Sequence, residues 1–539
     1  MKSISAPLLA LLTLVLLPGC PATGIICAPG TIRCGQGCVD SNADPKNCGT
    51  CGGACRSGQI CDRASCICNA GTSSCNGECV VLENDAKNCG ACGTQCAVSQ
   101  VCEGSSCKQS CPLTGASTAC GASCVNLTTD ATHCGSCTAA CENAQSCHAG
   151  RCTYDLVAAC FSSGQVVGLQ RASEFRGPVE SLGTGPQSLA SIEGTLLALD
   201  GIDQRLYQAQ QKSVGGHAFA KLRDSNVTGS APNQVVVEGP FVYIANSGSG
   251  TVQILRNWGG TFPDGGAAVD GGLALTTIAE LQLGANTYPQ GISKVGDGLW
   301  VPLYGGFGAG PAAAGQKVVR VDVSNPTAPM VSDTVSLTGL NLKPFDGGHP
   351  VARPFAILAL RDSVYVALNN LNPDTYAVEG PGLLAKINVN TRTISVLDLG
   401  DTCLNPGWLA SDGVRLLVSC FGAAVYSGAP NFALLKTTQS GVVLLDENDV
   451  RRSSWQPTCP AAADGGPGCL PILPSRFAVS GGRAYVGDQN GGRIFVLDIN
   501  GNTLGERRGY FGDAGAAISA CTLDPITGIA NVSDILSVP

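Results

Sequence analysis

The pattern of hydrophobic and polar positions changes near residue 154. Beyond it, short runs rich in Val, Leu, Ile and Tyr alternate with Gly, Asp and Asn, as in QVVVEGPFVYIANSGSGTVQILRN and FAILALRDSVYVALNN. Apolar runs of this length, separated by turn-forming residues, are typical of β-strands joined as hairpins, and few stretches have the spacing of a long amphipathic helix. We therefore predict that residues 154–539 form an all-β domain.

This all-β segment contains a repeated unit. Each of six copies opens with a proline and continues as strand, turn and strand; the prolines are Pro186, Pro232, Pro289, Pro354, Pro406 and Pro474. Spacings of 46 to 68 residues between them suit four-stranded propeller blades with inserted loops. A further blade can be assembled from LVAACFSSGQVVGLQ and ISACTLDPITGIANVSDIL, at the two ends of the segment, which would remove the exposed sheet edges. We predict a seven-bladed β-propeller, with six blades as the alternative.

Three insertions fall between the second and third strands of successive units, at 305–315, 370–381 and 421–439. Equivalent connections lie on one face of a propeller, so this face would be enlarged over three consecutive blades. We predict that a partner or ligand binds there. The alternative is that these loops, which are rich in Gly, Ala and Pro, vary only because they are exposed to solvent.

The chain begins with the features of a lipoprotein signal peptide over residues 1–19, a positive residue followed by an apolar stretch and small residues. The ending LPGC resembles the bacterial lipobox, in which the cysteine is diacylated and becomes the new N-terminus. This resemblance implies that Cys20 is lipidated and that 20–26 is a lipid-anchored linker. The residue after Cys20 is Pro21, whereas the inner-membrane retention signal has an Asp at that place. This difference favours a location in the cell envelope at the outer membrane. The alternative is an ordinary secretory peptide with Cys20 as a structural cysteine.

A ladder of cysteines follows the linker. Three copies of one unit cover 27–66, 68–107 and 111–152, with eight cysteines each, and only the first interval between cysteines varies. A unit of about 40 residues is too small to bury a sufficient core, so an even number of cysteines predicts four internal disulfides in each copy. We therefore predict three small disulfide-rich repeats, in which the spacing leaves the connectivity open.

Each repeat contains a Cys-x-x-Cys pair that also suits a zinc site or a redox dithiol; the pairs are Cys48/Cys51, Cys89/Cys92 and Cys134/Cys137. The secretory signal implies an oxidising compartment, which favours disulfides. An Asp stands four residues before the first cysteine of each pair, at Asp44, Asp85 and Asp130. We predict that these carboxylates cap backbone amides of a tight turn, with calcium binding as the alternative.

Six cysteines remain outside the repeats and the lipobox. Cys403 and Cys420 lie on either side of a turn and would face each other across an antiparallel hairpin. Cys459 and Cys469 close a short loop, which makes each the most favourable partner of the other. Cys160 and Cys521 then remain, and a bridge between them would tie the first strand of the propeller to its last.

Two families share these patterns. The cysteine unit, with its Cys-Val-Asp and Asn-Cys-Gly motifs, resembles the stigma-specific cysteine-rich proteins of plants, which implies an extracellular interaction or spacer module without catalytic residues. The blade sequences VYIANSGSGTVQIL and AYVGDQNGGRIFVLDI resemble the YVTN-type seven-bladed propellers of bacterial and archaeal surface proteins. That second resemblance is specific for the fold only.

The charge balance narrows the choice of partners. Charged residues make up 13% of the chain, the formal net charge is −8 and there is no run of Lys or Arg, which argues against nucleic acid. The propeller segment has His217 and His349 but no nucleophile elbow, phosphate loop or metal-binding histidine pair, which argues against an enzyme. We predict a lipid-anchored cell-envelope or surface protein with the cysteine-rich array as a rigid spacer. Its propeller would bind an extracellular protein or polysaccharide without a cofactor, and it would contact the membrane through its lipid anchor only.

A calcium-dependent hydrolase of a sugar lactone or similar small substrate is the alternative function. Propellers with that activity bind calcium through oxygen ligands at the central channel. Asn246, Asn369 and Asp488 occupy equivalent places just after the second strand of a unit, and they are the candidate ligands. The same residue types are common in turns that bind no metal.

Overall fold

The computed structural model describes residues 27, 31–35, 37–97, 100–108, 117–120, 123–141, 145–148, 150–170, 175–211, 219–221, 226–259, 272–306, 314–426, 434–457, 472–508, 520–521 and 531–538. Across these residues the regular secondary structure consists of β-strands. The described ranges contain no helix with the length and hydropathy needed to span a membrane.

The cysteine repeats consist of short strands joined by turns. Their strands are β1 (Ile32–Cys34), β2 (Gly37–Val39), β3 (Gln59–Asp62), β4 (Ser65–Cys68), β5 (Ser73–Cys75), β6 (Glu78–Val80), β7 (Val101–Glu103), β8 (Ser106–Lys108), β9 (Ser117–Cys120), β10 (Ser123–Asn126), β11 (Ser146–His148) and β12 (Arg151–Thr153). The strands pair two by two as antiparallel hairpins, β1 with β2, β3 with β4 and so on to β11 with β12. In addition, β7 pairs with β10, which joins the second repeat to the third.

One pattern of disulfides recurs in the repeats. The first repeat contains Cys27–Cys38, Cys34–Cys51, Cys48–Cys61 and Cys55–Cys66. The second contains Cys68–Cys79, Cys75–Cys92, Cys89–Cys102 and Cys96–Cys107. The described part of the third contains Cys120–Cys137, Cys134–Cys147 and Cys141–Cys152. The two cysteines of every Cys-x-x-Cys pair therefore belong to different disulfides, and their sulfur atoms are not available as thiolate ligands.

The aspartate before each Cys-x-x-Cys pair caps a turn. Asp44 accepts hydrogen bonds from the Lys46 backbone N–H and from the Asn47 side chain, both at 2.8 Å. Asp85 accepts the corresponding backbone bond at 2.7 Å and Asp130 accepts one at 2.8 Å. The carboxylates thus satisfy backbone amides that the tight turn leaves without a partner.

The second domain is a seven-bladed β-propeller, as the sequence predicts. Blade 1 contains β13 (Leu156–Cys160), β14 (Gln165–Gln170), β15 (Phe175–Ser181) and β42 (Val532–Ser537); blade 2 contains β16 (Pro186–Ile192), β17 (Thr195–Asp200), β18 (Arg205–Gln211) and β19 (Phe219–Lys221). Blade 3 contains β20 (Pro232–Glu238), β21 (Phe241–Asn246), β22 (Thr251–Asn257) and β23 (Leu275–Gln282); blade 4 contains β24 (Ser293–Val295), β25 (Gly298–Leu303), β26 (Lys317–Asp322) and β27 (Met330–Ser336).

The remaining blades follow in chain order. Blade 5 contains β28 (Val351–Leu360), β29 (Ser363–Leu371), β30 (Leu383–Asn388) and β31 (Ile394–Asp398). Blade 6 contains β32 (Pro406–Ser411), β33 (Leu416–Cys420), β36 (Gly441–Leu445) and β37 (Arg451–Trp455), and a separate hairpin of β34 (Ala423–Tyr426) and β35 (Leu434–Thr438) is inserted between β33 and β36. Blade 7 contains β38 (Pro474–Ser480), β39 (Arg483–Asp488), β40 (Ile494–Asn500) and β41 (Thr503–Arg508).

Blade 1 closes the ring, because it combines strands from both ends of the domain. Its innermost strand is β42, which pairs antiparallel with β13, so that Val157 lies opposite Leu536. Its core side chains pack against blade 7, where Leu156 and Val532 belong to one cluster with Tyr485 and Val496. The two ends of the chain segment therefore stabilise each other by burying apolar surface and by pairing β42 with β13 in one sheet.

The innermost strands define the two faces of the propeller. Every innermost strand runs in the same direction, from a face that we call the top, where Pro186 and Ser533 lie, to a face that we call the bottom, where Ile192 and Ser537 lie. The connections between second and third strands are on the top face. The insertions predicted at 305–315, 370–381 and 421–439 are connections of this kind, and their described residues, 305–306, 314–315, 370–381, 421–426 and 434–439, lie toward the top of blades 4, 5 and 6.

The third cysteine repeat contacts the bottom of the propeller. The Arg151 guanidinium donates to the backbone oxygen of Glu193, in the first turn of blade 2, at 3.1 Å. The Gln170 side-chain amide at the lower end of β14 donates to the Ser146 hydroxyl. Tyr154, which joins the two domains, is fully buried, with its ring centroid 5.9 Å from that of Phe219. The cysteine repeats are thus attached on the side opposite the inserted loops.

Buried tyrosines make the propeller sensitive to alkali. Burial, with smaller contributions from nearby acidic groups, raises the pKa of Tyr243 to about 12, and burial raises the pKa of Tyr304 to about 12. Burial raises the pKa of Tyr154 further still. A tyrosine in the unfolded chain ionises near pH 10. The stabilising effect of these raised pKa values is therefore complete below about pH 10 and is lost as the pH rises above it.

We expect the thermal unfolding midpoint to fall steeply above about pH 10, with tyrosinate absorbance appearing together with the loss of the β-sheet circular dichroism signal. The control is the same titration on chemically unfolded protein, in which all tyrosines ionise near their ordinary pKa. Complete ionisation near pH 10 in protein that keeps its fold would contradict the burial of these side chains.

Candidate binding site in the propeller channel

Seven innermost strands surround a central channel, and most of them are irregular near the top. In β16 and β20 the ladder shifts after the proline, at Gln187 and Asn233. Larger shifts occur between Pro354 and Ile357 in blade 5, and at the same place in blades 6 and 7. A bulge re-aims the side chain that follows it. The residues next to the blade prolines therefore meet one another around the channel.

Two adjoining cavities occupy the channel. The outer cavity has a volume of about 210 Å³ and lies at the top, between Phe161, Gln187, Gln489, Asn531 and Ser533. The inner cavity has a volume of about 190 Å³ and is lined by the innermost strands of blades 1, 2, 3, 5, 6 and 7. Trp408 and Arg476 line both cavities, so these two side chains form the junction between them.

Amide side chains form one side of the channel mouth. The Gln187 amide of blade 2 donates to Asn233 Oδ1 of blade 3 at 2.8 Å. The Asn233 amide in turn donates to Gln290 Oε1, just before the innermost strand of blade 4. On the other side of blade 2, the Ser533 hydroxyl donates to the Pro186 backbone oxygen at 2.7 Å. A chain of hydrogen bonds thus connects the innermost segments of blades 1 to 4.

Arg476 crosses the channel from blade 7 and is only 7% exposed. Its guanidinium donates to the backbone oxygens of Gln187 at 3.0 Å and Asn233 at 2.7 Å, and to Asn233 Oδ1 at 3.2 Å. Burial lowers the pKa of Arg476 to about 10, while the nearby Asp534 carboxylate opposes that effect. Arg476 therefore stays protonated at neutral pH and supplies a positive charge in the channel.

Asp534 is the carboxylate that faces this charge. Burial raises the pKa of Asp534, against the opposing effects of Arg476 and of the hydrogen bonds that the carboxylate accepts. Those bonds come from the backbone N–H groups of Leu189 and Ile535, each at 2.8 Å, and from the Ser188 side chain. The carboxylate is thus held by groups of blades 1 and 2.

Aromatic rings and arginines form the other side of the mouth. We call Arg353, Tyr304, Phe355, Trp408 and Arg476 the aromatic–arginine stack. Successive members are separated by 5.0 Å from the Arg353 guanidinium carbon to the Tyr304 ring, 6.0 Å from Tyr304 to Phe355, 4.6 Å from Phe355 to Trp408, and 3.9 Å from Trp408 to the Arg476 guanidinium carbon. Cations over aromatic faces are stabilised electrostatically, so the stack holds both arginines in place across blades 4 to 7.

Arg353 anchors the far end of the stack. Its side chain is fully buried and donates to the backbone oxygens of Gly305, Gly306 and Pro373, at 3.3, 3.1 and 3.3 Å. Those oxygens belong to the top loops of blades 4 and 5. Arg353 therefore fixes two of the inserted loops to the rim of the channel.

The three candidate calcium ligands do not meet at the channel. Asn246, Asn369 and Asp488 lie on the second strands of blades 3, 5 and 7, and the innermost strand of each blade separates them from the channel. The Asn369 side chain donates to the Pro406 backbone oxygen at 2.6 Å, and Asp488 pairs with the buried Arg493. The structure thus places the three candidate ligands of the alternative function in three separate blades, each behind an innermost strand.

The residue at the end of the second strand instead contacts the entry loop, the segment just before the innermost strand of the same blade. In blade 2, Asp200 accepts hydrogen bonds from the backbone N–H groups of Thr184 and Gly185, both at 2.7 Å. In blade 7, Asp488 accepts one from Leu473 at 3.1 Å. A carboxylate at this place satisfies loop amides that have no strand partner.

Cysteines occupy the same position in blades 1 and 6. Cys420 lies opposite Pro406 in the ladder and forms a disulfide with Cys403 in the entry loop. Cys160 forms a disulfide with Cys521. The bridge Cys403–Cys420 differs in one respect from the cross-strand pair that we expect from the sequence, because the innermost strand begins only at Pro406 and leaves Cys403 in the loop before it. Cys20, Cys459 and Cys469 lie outside the described residues.

We expect calcium to leave the thermal unfolding midpoint unchanged, because a calcium ion needs six to eight oxygen ligands around one point and the candidates lie in three blades. The comparison is millimolar calcium against a chelator. Asp488→Asn should lower the midpoint equally in both conditions, since it removes the negative charge that Arg493 faces. A calcium-dependent rise that disappears in Asp488→Asn would contradict this result.

Comparisons with known proteins agree with the division into two architectures. The stigma-specific STIG1-like protein family matches residues 103–155, which include the third cysteine repeat, and the LVIVD repeat matches residues 312–336 and 475–502 in the propeller. No curated protein matches the chain. The resemblance to YVTN-type propellers remains a prediction, since the matched propeller repeat is the LVIVD repeat.

Several solved structures are similar to the chain. Apo AztD from Citrobacter koseri is 14% identical, with a TM-score of 0.43, over 71% of this chain and 97% of that one. A putative 6-phosphogluconolactonase from Bacteroides uniformis is 14% identical, with a TM-score of 0.45, over 66% and 95%. Another from Bacteroides fragilis is 11% identical, with a TM-score of 0.46, over 71% and 97%. Similarity at this level says nothing about the ligand or activity of this chain.

Sequence reasoning missed the residues of the channel mouth. Arg353, Trp408 and Arg476 each lie within two positions of a blade proline, in the motifs Arg-Pro-Phe, Pro-Gly-Trp and Pro-Ser-Arg. The signal that could have found them is a large polar or aromatic residue within two positions of the repeat proline, on either side of it.

Proposed function

We propose that this protein is a binding protein of the cell envelope. In this proposal Cys20 carries the lipid anchor, the cysteine repeats act as a rigid spacer, and the propeller binds an extracellular protein or carbohydrate partner at the mouth of its channel. The anchor holds the protein at the outer membrane. The lipid anchor and the class of partner are both inferred from the sequence. The geometry of the propeller supports the mouth of the channel as the place of binding.

The attachment of the cysteine repeats is the observation that carries this proposal. The third repeat contacts the bottom of the propeller through Arg151 and Ser146, whereas the outer cavity and the three inserted loops lie on the top. A spacer fixed to the bottom leaves the top face directed away from the membrane. Loops gathered on one end of a rigid scaffold are a common place for binding residues.

The composition of the mouth also favours binding. Amide side chains, a buried guanidinium and half-buried aromatic rings line one concave site, and such mixtures orient ligands through a few polar groups on an apolar wall. The rings of Trp408 and Phe161, which line the outer cavity, supply contact area at low entropic cost.

Binding by the top face can be tested with arrays of immobilised glycans, envelope polysaccharides and surface proteins. The full chain beginning at residue 21 is compared with Trp408→Ala at the channel mouth and with Trp258→Ala, which changes a half-buried tryptophan beyond the bottom end of β22. We expect the wild-type protein and Trp258→Ala to bind the same partner and Trp408→Ala to lose it. A partner that binds all three proteins equally would place recognition elsewhere. Thermal unfolding shows that each variant is folded.

A further inference from the structure

Two N–H donors at the junction of the cavities have no partner among the residues that the structure describes. They are the Nε atom of Arg476 and the Nε1 atom of Trp408, and both atoms are buried. Both residues line the outer and the inner cavity. A buried donor without a partner costs free energy, and native proteins rarely keep one without a reason. Two such donors, on residues that stack at 3.9 Å, indicate a place for a ligand acceptor.

The positive charge of the Arg476 guanidinium at the junction of the cavities favours an anionic ligand. Within the described part of the chain, the hydrogen bonds of the Arg476 guanidinium go to neutral oxygens of Gln187 and Asn233. The Asp534 carboxylate, which faces it, is already engaged by two backbone amides. A guanidinium with remaining donors is well suited to a carboxylate, because its planar N–H groups match the two carboxylate oxygens.

The outer cavity adds groups that recognise a hydroxylated molecule. Gln187, Gln489, Asn531 and Ser533 line it with amide and hydroxyl groups, and Phe161 supplies one apolar wall. Sugar rings present hydroxyls at their edges and C–H groups on their faces, so amides and an aromatic ring suit the two surfaces. Together the two adjoining cavities, of about 190 and 210 Å³, lie within the lower part of the range for small-molecule sites, roughly 300–1,000 Å³.

We propose that the channel mouth binds a uronic acid residue of a polysaccharide. Its carboxylate accepts hydrogen bonds from Arg476 Nε and Trp408 Nε1, and its hydroxyls contact the amide groups of the outer cavity. This assignment rests on the proposed binding function and names the chemistry of the partner.

Isothermal titration of the full chain beginning at residue 21 tests the assignment. The probes are galacturonate and glucuronate, the neutral sugars galactose and glucose, and the simple anions acetate and phosphate. We expect a uronate to bind at least about tenfold more tightly than its neutral counterpart, since it alone forms the charge-assisted hydrogen bonds. Simple anions should bind more weakly than the uronates, because they lack the hydroxyl contacts.

Two conservative variants isolate the donors. Trp408→Phe keeps an aromatic ring in the stack but removes the Nε1–H donor, and Arg476→Lys keeps the positive charge but removes Nε. Each is expected to weaken uronate binding about tenfold. The matched control is Trp455→Phe, which removes an indole donor to Glu506 on the outer strands of blades 6 and 7 and should leave uronate affinity unchanged.

Each other outcome overturns the assignment. Equal affinity for uronate and neutral sugar would exclude recognition of the carboxylate, and equal affinity for uronate and acetate or phosphate would reduce the site to an adventitious ion only. Uronate binding that is unchanged in folded Trp408→Phe and Arg476→Lys would place it outside the channel. An array partner that Trp408→Ala abolishes, together with no uronate binding, would leave the binding function standing and reject the uronic acid.

Discussion

Replacing Cys160 and Cys521 together with serine is expected to lower the free energy of unfolding by about 6 kcal/mol, the loop-entropy value for a bridge of this span. The bridge connects residues separated by 361 positions and so restricts the unfolded chain over almost the whole propeller. Loop entropy grows with the length of the closed loop, which makes this disulfide the most effective of the bridges in the described residues. It also lies beside the pairing of β13 with β42, where the two ends of the domain meet.

A second disulfide supplies the matched control. Cys403–Cys420 occupies the equivalent position in blade 6 but closes a separation of only 17 residues. The same loop-entropy relation gives about 3 kcal/mol for it. Urea unfolding without reductant, followed by tryptophan fluorescence, measures both double variants against the wild-type protein. An equal loss of unfolding free energy in the two variants would show that the bridge closing the ring stabilises the fold no more than a short local bridge does.

Replacing Cys20 with alanine is expected to move the protein completely from the membrane fraction to the soluble fraction. Each buried methylene of an attached acyl chain contributes about 0.8 kcal/mol, and more than one chain is needed for stable anchoring. A diacylated cysteine meets that requirement, whereas the variant has no acyl chain. Cell fractionation with immunoblotting measures the distribution, and labelled palmitate measures the acylation.

The neighbouring residue separates anchoring from sorting. Pro21→Asp keeps the acylated cysteine and is expected to remain in the membrane fraction, but to shift from the outer to the inner membrane if the Asp retention rule applies in the host. Cys20→Ala that stays in the membrane fraction would favour an ordinary secretory peptide and another means of attachment.

The strand-end position in the blades shows one structural requirement met by different chemistry. Asp200 and Asp488 hold their entry loops by accepting backbone hydrogen bonds, and Cys160 and Cys420 form covalent bonds at the same place. A residue that recurs at equivalent positions of a repeat therefore marks a shared need of the fold. The recurrence of Asn and Asp at this place therefore has a structural explanation that does not require a metal.

The channel mouth shows the limit of sequence reasoning most clearly. Arg353, Trp408 and Arg476 belong to three successive blades. Each is more than 50 residues from the next along the chain, and no local pattern brings them together. Their contact depends on the shift of register that follows each blade proline, which turns side chains toward the channel. The hydrogen bonds that the arginine and indole N–H groups can form at the channel mouth also depend on which acceptors the neighbouring blades present.

The amino-acid sequence by itself determined the properties that local spacing encodes. Alternating apolar runs and turn residues specify strands, the recurrence of proline specifies blades, and the cysteine intervals specify three equivalent disulfide-rich units. Only the tertiary structure decided which cysteines pair within a unit, on which face of the propeller the repeats are attached, and which side chains meet in the channel. These outcomes depend on distances between residues far apart in the chain, and such distances are set by the closure of the ring and the packing of its blades.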